Sequence, residues 1–186
     1  LQLPHSQTPL STKYLDATAP RINAALAELN KRAIKNIVLI GHGTGALAAI
    51  DFISNNLLPE IQGLAVIGLD GSAGDEPRLD AASNLGRISV PILDIYGEHD
   101  YLAVTRSARR RYDMAHRGND KNDGQGARYA DIARDYSEKK GLMLGYRQIR
   151  VSGADHNFSA QSEDMEKRLR GWLKRHASGT EVKTDK

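Results

Sequence analysis

The sequence has 186 residues, enough for one domain with a hydrophobic core. It is 40% hydrophobic and 26% charged, which is typical of a soluble globular protein, and no run approaches the roughly 18 apolar residues of a membrane span. There are no cysteines, which excludes disulfides and thiolate chemistry. The histidines and acidic residues do not follow one another at a spacing that is typical of a metal site. The sequence therefore predicts no metal, no cofactor and no membrane span.

Residues 1–15 contain two prolines and few apolar side chains, and they are predicted to form a loop. Asp16 or Thr18 is expected to cap a helix with Pro20 in its first turn, because proline has no N–H to leave unpaired there. Apolar residues then recur at helical spacing, and the helix is predicted to end near Ala33.

Strands and helices alternate along the rest of the chain. The predicted strands are residues 37–41, 64–69, 90–96 and 146–151. The predicted helices are residues 44 to about 55, 102–117, 127–140 and 162–175. This alternation predicts an α/β fold with a parallel sheet between layers of helices. A single domain is predicted over residues 1–176, with an insertion at about 113–140 and a disordered tail at 177–186.

Positive charge is concentrated in residues 106–150, which hold twelve lysines and arginines against six acidic residues. Two interpretations remain open: a solvated helical face, or a contact surface for an acidic partner or an anionic surface. Nucleic acid is not expected, because tyrosines are the only aromatic residues in this segment that could stack on bases.

The segment at residues 37–53 reads IVLIGHGTGALAAIDFI: an apolar strand, a glycine-rich turn and an alanine-rich helix. This is the layout of a nucleophile elbow, Gly-x-Ser-x-Gly, in which a strand turns sharply into a helix and exposes a serine. Gly43 stands at the serine position, and we interpret it as a lost nucleophile. The alternative is a glycine-rich turn that binds an anion at the helix N-terminus.

The neighbours of Gly43 are candidates for the oxyanion or ligand-binding part of such a site. The backbone N–H of Thr44 is a candidate oxyanion donor, while its side chain is expected to pack or to hydrogen-bond at the helix start. His42 precedes the tip of the turn and is expected to pack beside the strand ends.

Two further motifs follow predicted strands. Asp100 ends the segment YGEHD, and His156 lies in GADHNF. Nucleophile, acid and histidine in this order are the order of the α/β-hydrolase triad, in which the acid orients the histidine. We expect Asp100 and His156 to lie within hydrogen-bond distance; the alternative is that Asp100 caps the following helix.

The segments VPILDIYGEHD and YRQIRVSGADHNF together resemble a bacterial hydrolase-like family of unknown function in the α/β-hydrolase superfamily. The resemblance covers about residues 34–176. It implies a parallel, three-layer sheet of α/β-hydrolase type, with Asp100 as the acid, His156 as the base and Gly43 at the nucleophile position.

The resemblance also implies strands before the elbow strand, and no such strand is predicted in this sequence. The edge of strand 37–41 would then be open, so we expect a preceding segment, a second copy or a partner subunit to cover it. The alternative is that residues 1–15 fold back as the pairing strand.

Two hypotheses about function remain. The first is a non-catalytic protein of α/β-hydrolase fold, acting as a binding or structural subunit. The second is an atypical hydrolase or esterase in which Asp100 and His156 activate a water molecule above Gly43. The compartment stays open: the protein is expected to be soluble, and periplasmic or exported if an upstream signal was removed.

Overall fold

The computed structural model describes residues 11–56, 58–72, 76–117 and 145–176. Its helices and strands are α1 (Thr12–Lys31), β1 (Ile37–His42), α2 (Thr44–Asn55), β2 (Ile61–Ile67), α3 (Ala81–Leu85), β3 (Ile92–Gly97), α4 (Leu102–Arg117), β4 (Tyr146–Val151) and α5 (Ser162–His176), with a 3₁₀ turn at Pro77–Leu79. The predicted helix at 127–140, most of the predicted insertion and the tail at 177–186 lie outside the described residues.

The four strands form one parallel sheet in the order β1-β2-β3-β4, which confirms the predicted α/β architecture. Leu39 lies opposite Leu64, and Ile67 lies opposite Ile95. Because all four strands are parallel, the loops that follow them meet at the same edge of the sheet. The loops after β1, β3 and β4 carry the predicted site residues.

Helices cover both faces of the sheet. On one face, Leu64 and Val66 of β2 belong to a core shared with α1, α2 and α3. On the other face, Ala65 and Ile67 belong to a second core, which contains Trp172 of α5. Every residue of β2 is buried, as expected for a strand with neighbours on both sides and helices above and below.

Helix α1 begins at Thr12, so the predicted loop over residues 12–15 is wrong, and Pro20 lies inside the helix rather than in its first turn. An interior proline removes the hydrogen bond that its own nitrogen would donate, and its ring crowds the carbonyl four residues earlier, at a cost of about 3 kcal/mol. The earlier start buries Tyr14 and Leu15 in the core. We infer that this burial offsets the cost of Pro20.

Strand β2 begins at Ile61, three residues before the predicted start at residue 64. The predicted strand begins with the apolar run at Leu64, after Gln62 and Gly63. In the structure Gln62 is buried, and its side-chain amide donates to the carbonyl oxygen of Pro59 (2.8 Å). A polar residue is therefore accommodated inside the strand because its hydrogen bond is satisfied.

The arginines of α4 do not form a single basic face. Arg109 is exposed, and Arg110 pairs with Asp80 at 2.6 Å. Arg111 is fully buried, and its Nε lies 2.7 Å from Oδ2 of Asp94, which is also fully buried. The interpretation of residues 106–150 as one basic face is therefore wrong for Arg111.

The buried ion pair between Arg111 and Asp94 connects α4 to strand β3 of the sheet. Burial by itself lowers the pKa of Arg111, but the charge and hydrogen bonds of Asp94, together with Tyr146, leave the pKa above its usual value, so the guanidinium stays charged. Asp94 also accepts hydrogen bonds from the Tyr146 hydroxyl and from the Gln148 side-chain amide (3.0 Å). Gly71 leaves room for the arginine, because a Cβ there would lie 2.4 Å from the Cγ of Arg111.

Strand β1 has no neighbour on its outer edge among the described residues. Ile40 at this edge is 50% exposed, whereas β2 is buried throughout. An apolar groove of about 570 Å³ lies between β1 and α1. The hydroxyl of Tyr14, which lines the groove, is buried and has no hydrogen-bond partner within the described part of the chain.

Candidate functional site

The turn between β1 and α2 has the geometry of a nucleophile elbow. Gly43 has φ 54° and ψ −119°, a region that side chains other than glycine rarely enter. Its N–H donates to the carbonyl oxygen of Ile67 (2.9 Å), and its own carbonyl accepts from Ala46 (3.0 Å). The backbone is therefore held tightly at the point where β1 becomes α2.

The structure brings Asp100 and His156 together, as expected. Oδ1 of Asp100 lies 2.6 Å from Nδ1 of His156. Asp100 is buried and also accepts hydrogen bonds from the N–H of Tyr101 (2.8 Å) and of Gly97 (3.3 Å). This carboxylate is fixed by the backbone, so it orients the imidazole with Nδ1 toward the acid. The alternative role of Asp100 as a helix cap is not seen, because its contact is with Tyr101, before α4 begins.

The other nitrogen of the imidazole faces the elbow. A Cβ placed ideally on Gly43 would lie 3.4 Å from Nε2 of His156. In a serine triad this nitrogen takes the proton from the serine hydroxyl. Asp100, His156 and the turn thus have the relative positions that the resemblance implies for an acid, a base and a nucleophile, but Gly43 has no side-chain atom that can attack a carbonyl carbon.

Two residues of the site were not predicted from the sequence. Gly68 follows β2 with φ 59°, and a Cβ there would lie 2.7 Å from Cε1 of His156, so only glycine leaves room for the ring. The ring of Tyr101 lies 4.4 Å from the imidazole, centroid to centroid, and Tyr101 is 65% exposed. Both could have been found from their positions in the sequence, because Gly68 follows the end of a strand and Tyr101 follows Asp100 directly.

The loop that carries His156 is attached to the loop that carries Asp100. Glu98 accepts a hydrogen bond from the N–H of Gly153 (2.9 Å) and pairs with Arg150 (2.8 Å). The Gly153 hydrogen bond, with the charge of Arg150, lowers the pKa of Glu98. Gly97 allows the two loops to touch, because a Cβ there would lie 2.4 Å from the carbonyl oxygen of Ala154.

His42 and Thr44 flank the tip of the turn. His42 packs against the site as expected: its ring lies 4.5 Å from the His156 ring, and its Nε2 donates to the carbonyl oxygen of His156 (3.0 Å). Thr44 is exposed rather than packed, and it is the first residue of α2, whose N-cap makes no side-chain hydrogen bond. The N–H of Thr44 therefore lies in the first turn of α2, where N–H groups have no partner within the helix, and its role as an oxyanion donor stays a prediction.

A cavity of about 450 Å³ opens in front of Gly43 and His156. Its walls are mostly apolar. The lining residues outside the turn and the imidazole are Leu47, Gly68, Asp70, Ser72, Leu79, Tyr101, Ala103 and Val104. A cavity of this size with a few convergent polar groups is typical of a small-molecule site.

Within residues 11–56, 58–72, 76–117 and 145–176, no group of three or more histidine and acidic side chains is arranged to hold a metal ion. None of the helices in these ranges combines the length and the apolar character that crossing a lipid bilayer requires.

Solved structures with a similar fold are α/β hydrolases. The esterase domain of a Rhodothermus marinus protein matches with a TM-score of 0.58 and 15% identity, over 86% of this chain and 69% of that one. A monoacylglycerol lipase from Paleococcus ferrophilus matches with a TM-score of 0.59 and 13% identity, over 86% of this chain and 74% of that one. An α/β serine hydrolase homologue from Coxiella burnetii matches with a TM-score of 0.55 and 13% identity, over 92% and 64% of the two chains. At these identities the likeness establishes the α/β-hydrolase fold.

No curated protein matches the sequence. Residues 3–143 match a family described as "Protein of unknown function (DUF3530)". This match includes Gly43 and Asp100, while His156 lies beyond it. The chain therefore belongs to the DUF3530 family, and its fold is that of the α/β hydrolases.

Proposed function

We propose that this protein is a non-catalytic member of the α/β-hydrolase fold that binds a small molecule without forming an acyl-enzyme. The observation that carries the proposal is Gly43 at the tip of an otherwise well-formed elbow. Nucleophilic catalysis of acyl transfer requires a side-chain oxygen or sulfur at this point. Thr44, the nearest hydroxyl in sequence, lies one residue past the tip, on the first turn of α2.

The retained acid–histidine pair is consistent with a binding role. The hydrogen bond of 2.6 Å between Asp100 and His156 holds the ring at the end of the cavity. A histidine held in this way presents one defined nitrogen to a ligand. The cavity in front of it has the size of a small-molecule site, so the fold supports binding without turnover.

A second candidate function is hydrolysis by a water molecule that the histidine activates. It is favoured by the position of Nε2 of His156, which faces the space next to Gly43. General-base catalysis of this kind contributes about 10²–10⁴-fold. Any such activity would depend entirely on His156.

Hydrolysis of short-chain p-nitrophenyl esters separates the two functions. We expect the wild-type protein and a His156→Ala variant to hydrolyse these esters at the same low rate, because no nucleophile is present. His99→Ala is the matched control, since His99 is an exposed histidine on the same loop as Asp100. A wild-type rate tenfold or more above that of His156→Ala, with His99→Ala unchanged, would establish the water-activating function instead.

We further propose that another polypeptide segment adds to the outer edge of β1. Three observations support this: the half-exposed Ile40, the apolar groove under α1 and the unpartnered hydroxyl of Tyr14 among the described residues. An open, apolar strand edge is a template for pairing with another chain. In a solution of the purified chain alone, a second copy can supply this segment.

Sedimentation velocity of the purified chain tests this proposal. We expect a dimer or larger species at micromolar concentration, and we expect Ile40→Lys to shift it to a monomer, because an edge lysine opposes pairing. Leu102→Lys is the control, since Leu102 is 65% exposed and lies away from this edge. A monomer with a cooperative melt at every concentration would contradict the proposal.

A further inference from the structure

We propose that the cleft between strand β4 and helix α5 binds a phosphate compound with two or more negative charges. The cleft has a volume of about 330 Å³ and shares no lining residue with the cavity in front of Gly43. It is therefore a second site, and the proposal does not depend on the function proposed above.

Three cations of the cleft have no partner among the described residues. Arg147 comes from β4, and Lys167 and Arg175 come from α5. All three residues are exposed, and none of their side chains makes a hydrogen bond or an ion pair with another described residue. Arg168 differs, because it pairs with Asp164 of the same lining at 2.8 Å. The acidic side chain is thus neutralised, and the cleft keeps a net positive charge.

The helix places its two unpaired cations on the same face. Lys167 and Arg175 are eight residues apart, about 12 Å along the helix axis, and residues four apart lie on one face. Gly171 lies midway between them, and Arg147 lines the cleft from β4. Long, flexible side chains on both walls can therefore reach a ligand that sits over Gly171.

Gly171 leaves the floor of the cleft open. A Cβ on this residue would meet no heavy atom within 4 Å, although the residue lies inside a helix. Glycine is unfavourable inside a helix, and here no close approach of neighbouring atoms requires it. The packing of the protein does not account for Gly171, whereas space for a ligand does.

The chemistry of the lining favours a phosphate compound over a single carboxylate. Guanidinium groups bind phosphate and carboxylate oxygens through paired N–H donors, and the lysine ammonium adds a point charge. A phosphate monoester carries about 1.5 to 2 negative charges at pH 7, whereas a carboxylate carries one. Trp172 in the wall is buried, so its ring is not available to stack on a base. We therefore expect the phosphate groups to be the part of the ligand that is recognised.

Calorimetric titration of the full chain with inorganic pyrophosphate tests the proposal. We expect saturable binding below millimolar concentration. Arg147→Met and Lys167→Met each remove one cation of the cleft, and each should weaken pyrophosphate binding at least fivefold. Arg170→Met is the matched control, because Arg170 is exposed on the same helix, pairs with Glu166 and does not line the cleft. It should leave the affinity unchanged.

Substitutions of Gly171 distinguish a shaped cleft from diffuse positive charge. Gly171→Leu fills the cleft while every cation stays, and leucine is a better helix former than glycine, so the variant should fold. We expect it to abolish pyrophosphate binding, whereas Gly171→Ala, with only a methyl group in open space, should retain most of it. Unchanged binding by Gly171→Leu, no saturation at millimolar pyrophosphate, or equal weakening by Arg170→Met and Lys167→Met would each overturn the proposal.

Vesicle cosedimentation identifies the source of the phosphate group. Wild-type protein that sediments with phosphatidylcholine vesicles containing phosphatidic acid, with Gly171→Leu left in the supernatant, would support the proposal with a lipid headgroup as the ligand. Pyrophosphate binding without such cosedimentation would support it with a soluble phosphate compound as the ligand.

Discussion

A Gly43→Ser variant is expected to form an acyl-enzyme with p-nitrophenyl acetate, which the wild-type protein does not form. The serine Cβ would lie 3.4 Å from Nε2 of His156, and this places the hydroxyl within reach of a base that Asp100 already orients. The measurement is a stoichiometric burst of p-nitrophenol, together with an acetyl adduct on the intact protein.

The rate of this burst should be modest. We expect the N–H of Thr44, at the start of α2, to serve as a single oxyanion donor in this variant, and the loss of one donor from an oxyanion hole costs about 10²–10³-fold. A side chain at φ 54° also strains the turn by about 1–3 kcal/mol.

Two variants serve as controls for the serine variant. Gly43→Ala carries the same strain without a hydroxyl, and Gly43→Ser with His156→Ala keeps the hydroxyl without the base. Neither should give a burst. Absence of an adduct in a folded Gly43→Ser protein would show that the elbow and the histidine are not arranged for catalysis.

An Arg111→Met variant is expected to lose about 3–5 kcal/mol of unfolding free energy, because it leaves the buried Asp94 without its cation. In this variant the Asp94 carboxylate still accepts hydrogen bonds from Tyr146 and Gln148, so we expect a loss at the lower end of this range. Urea denaturation measures the change through the midpoint and the slope of the transition.

Arg109→Met is the matched control in the same helix. Arg109 is exposed and pairs with Asp113 across one helical turn, a contact worth about 0.3–0.5 kcal/mol. A loss at Arg111 no greater than the loss at Arg109 would show that the buried pair does not stabilise the protein.

Local patterns predicted most of the fold. The apolar run, the glycines and the alanine-rich segment located β1, the turn and α2, and helix α4 and strand β4 have the predicted bounds. Strand alternation predicted the parallel sheet, since parallel strands require crossovers. The order of acid and histidine after two strands placed Asp100 beside His156, because those strands end at the same edge.

Features that depend on tertiary contacts were not predicted. Arg111 reads as a surface charge in sequence, and its partner Asp94 lies inside an apolar strand 17 residues away. Gln62 is polar and lies outside the predicted strand, because its hydrogen bond to the carbonyl oxygen of Pro59 is not visible in the sequence. Gly68 lies inside the predicted strand 64–69, whereas β2 ends at Ile67, and the imidazole of His156 that requires a glycine at this position is 88 residues away in sequence.

The absence of a nucleophile at this elbow is tested most directly by the intact mass of the wild-type protein after treatment with a fluorophosphonate that labels serine hydrolases. We expect an unchanged mass, because Gly43 has no side-chain oxygen to be phosphonylated. A stoichiometric adduct on Thr44 or anywhere in residues 41–45 would contradict it.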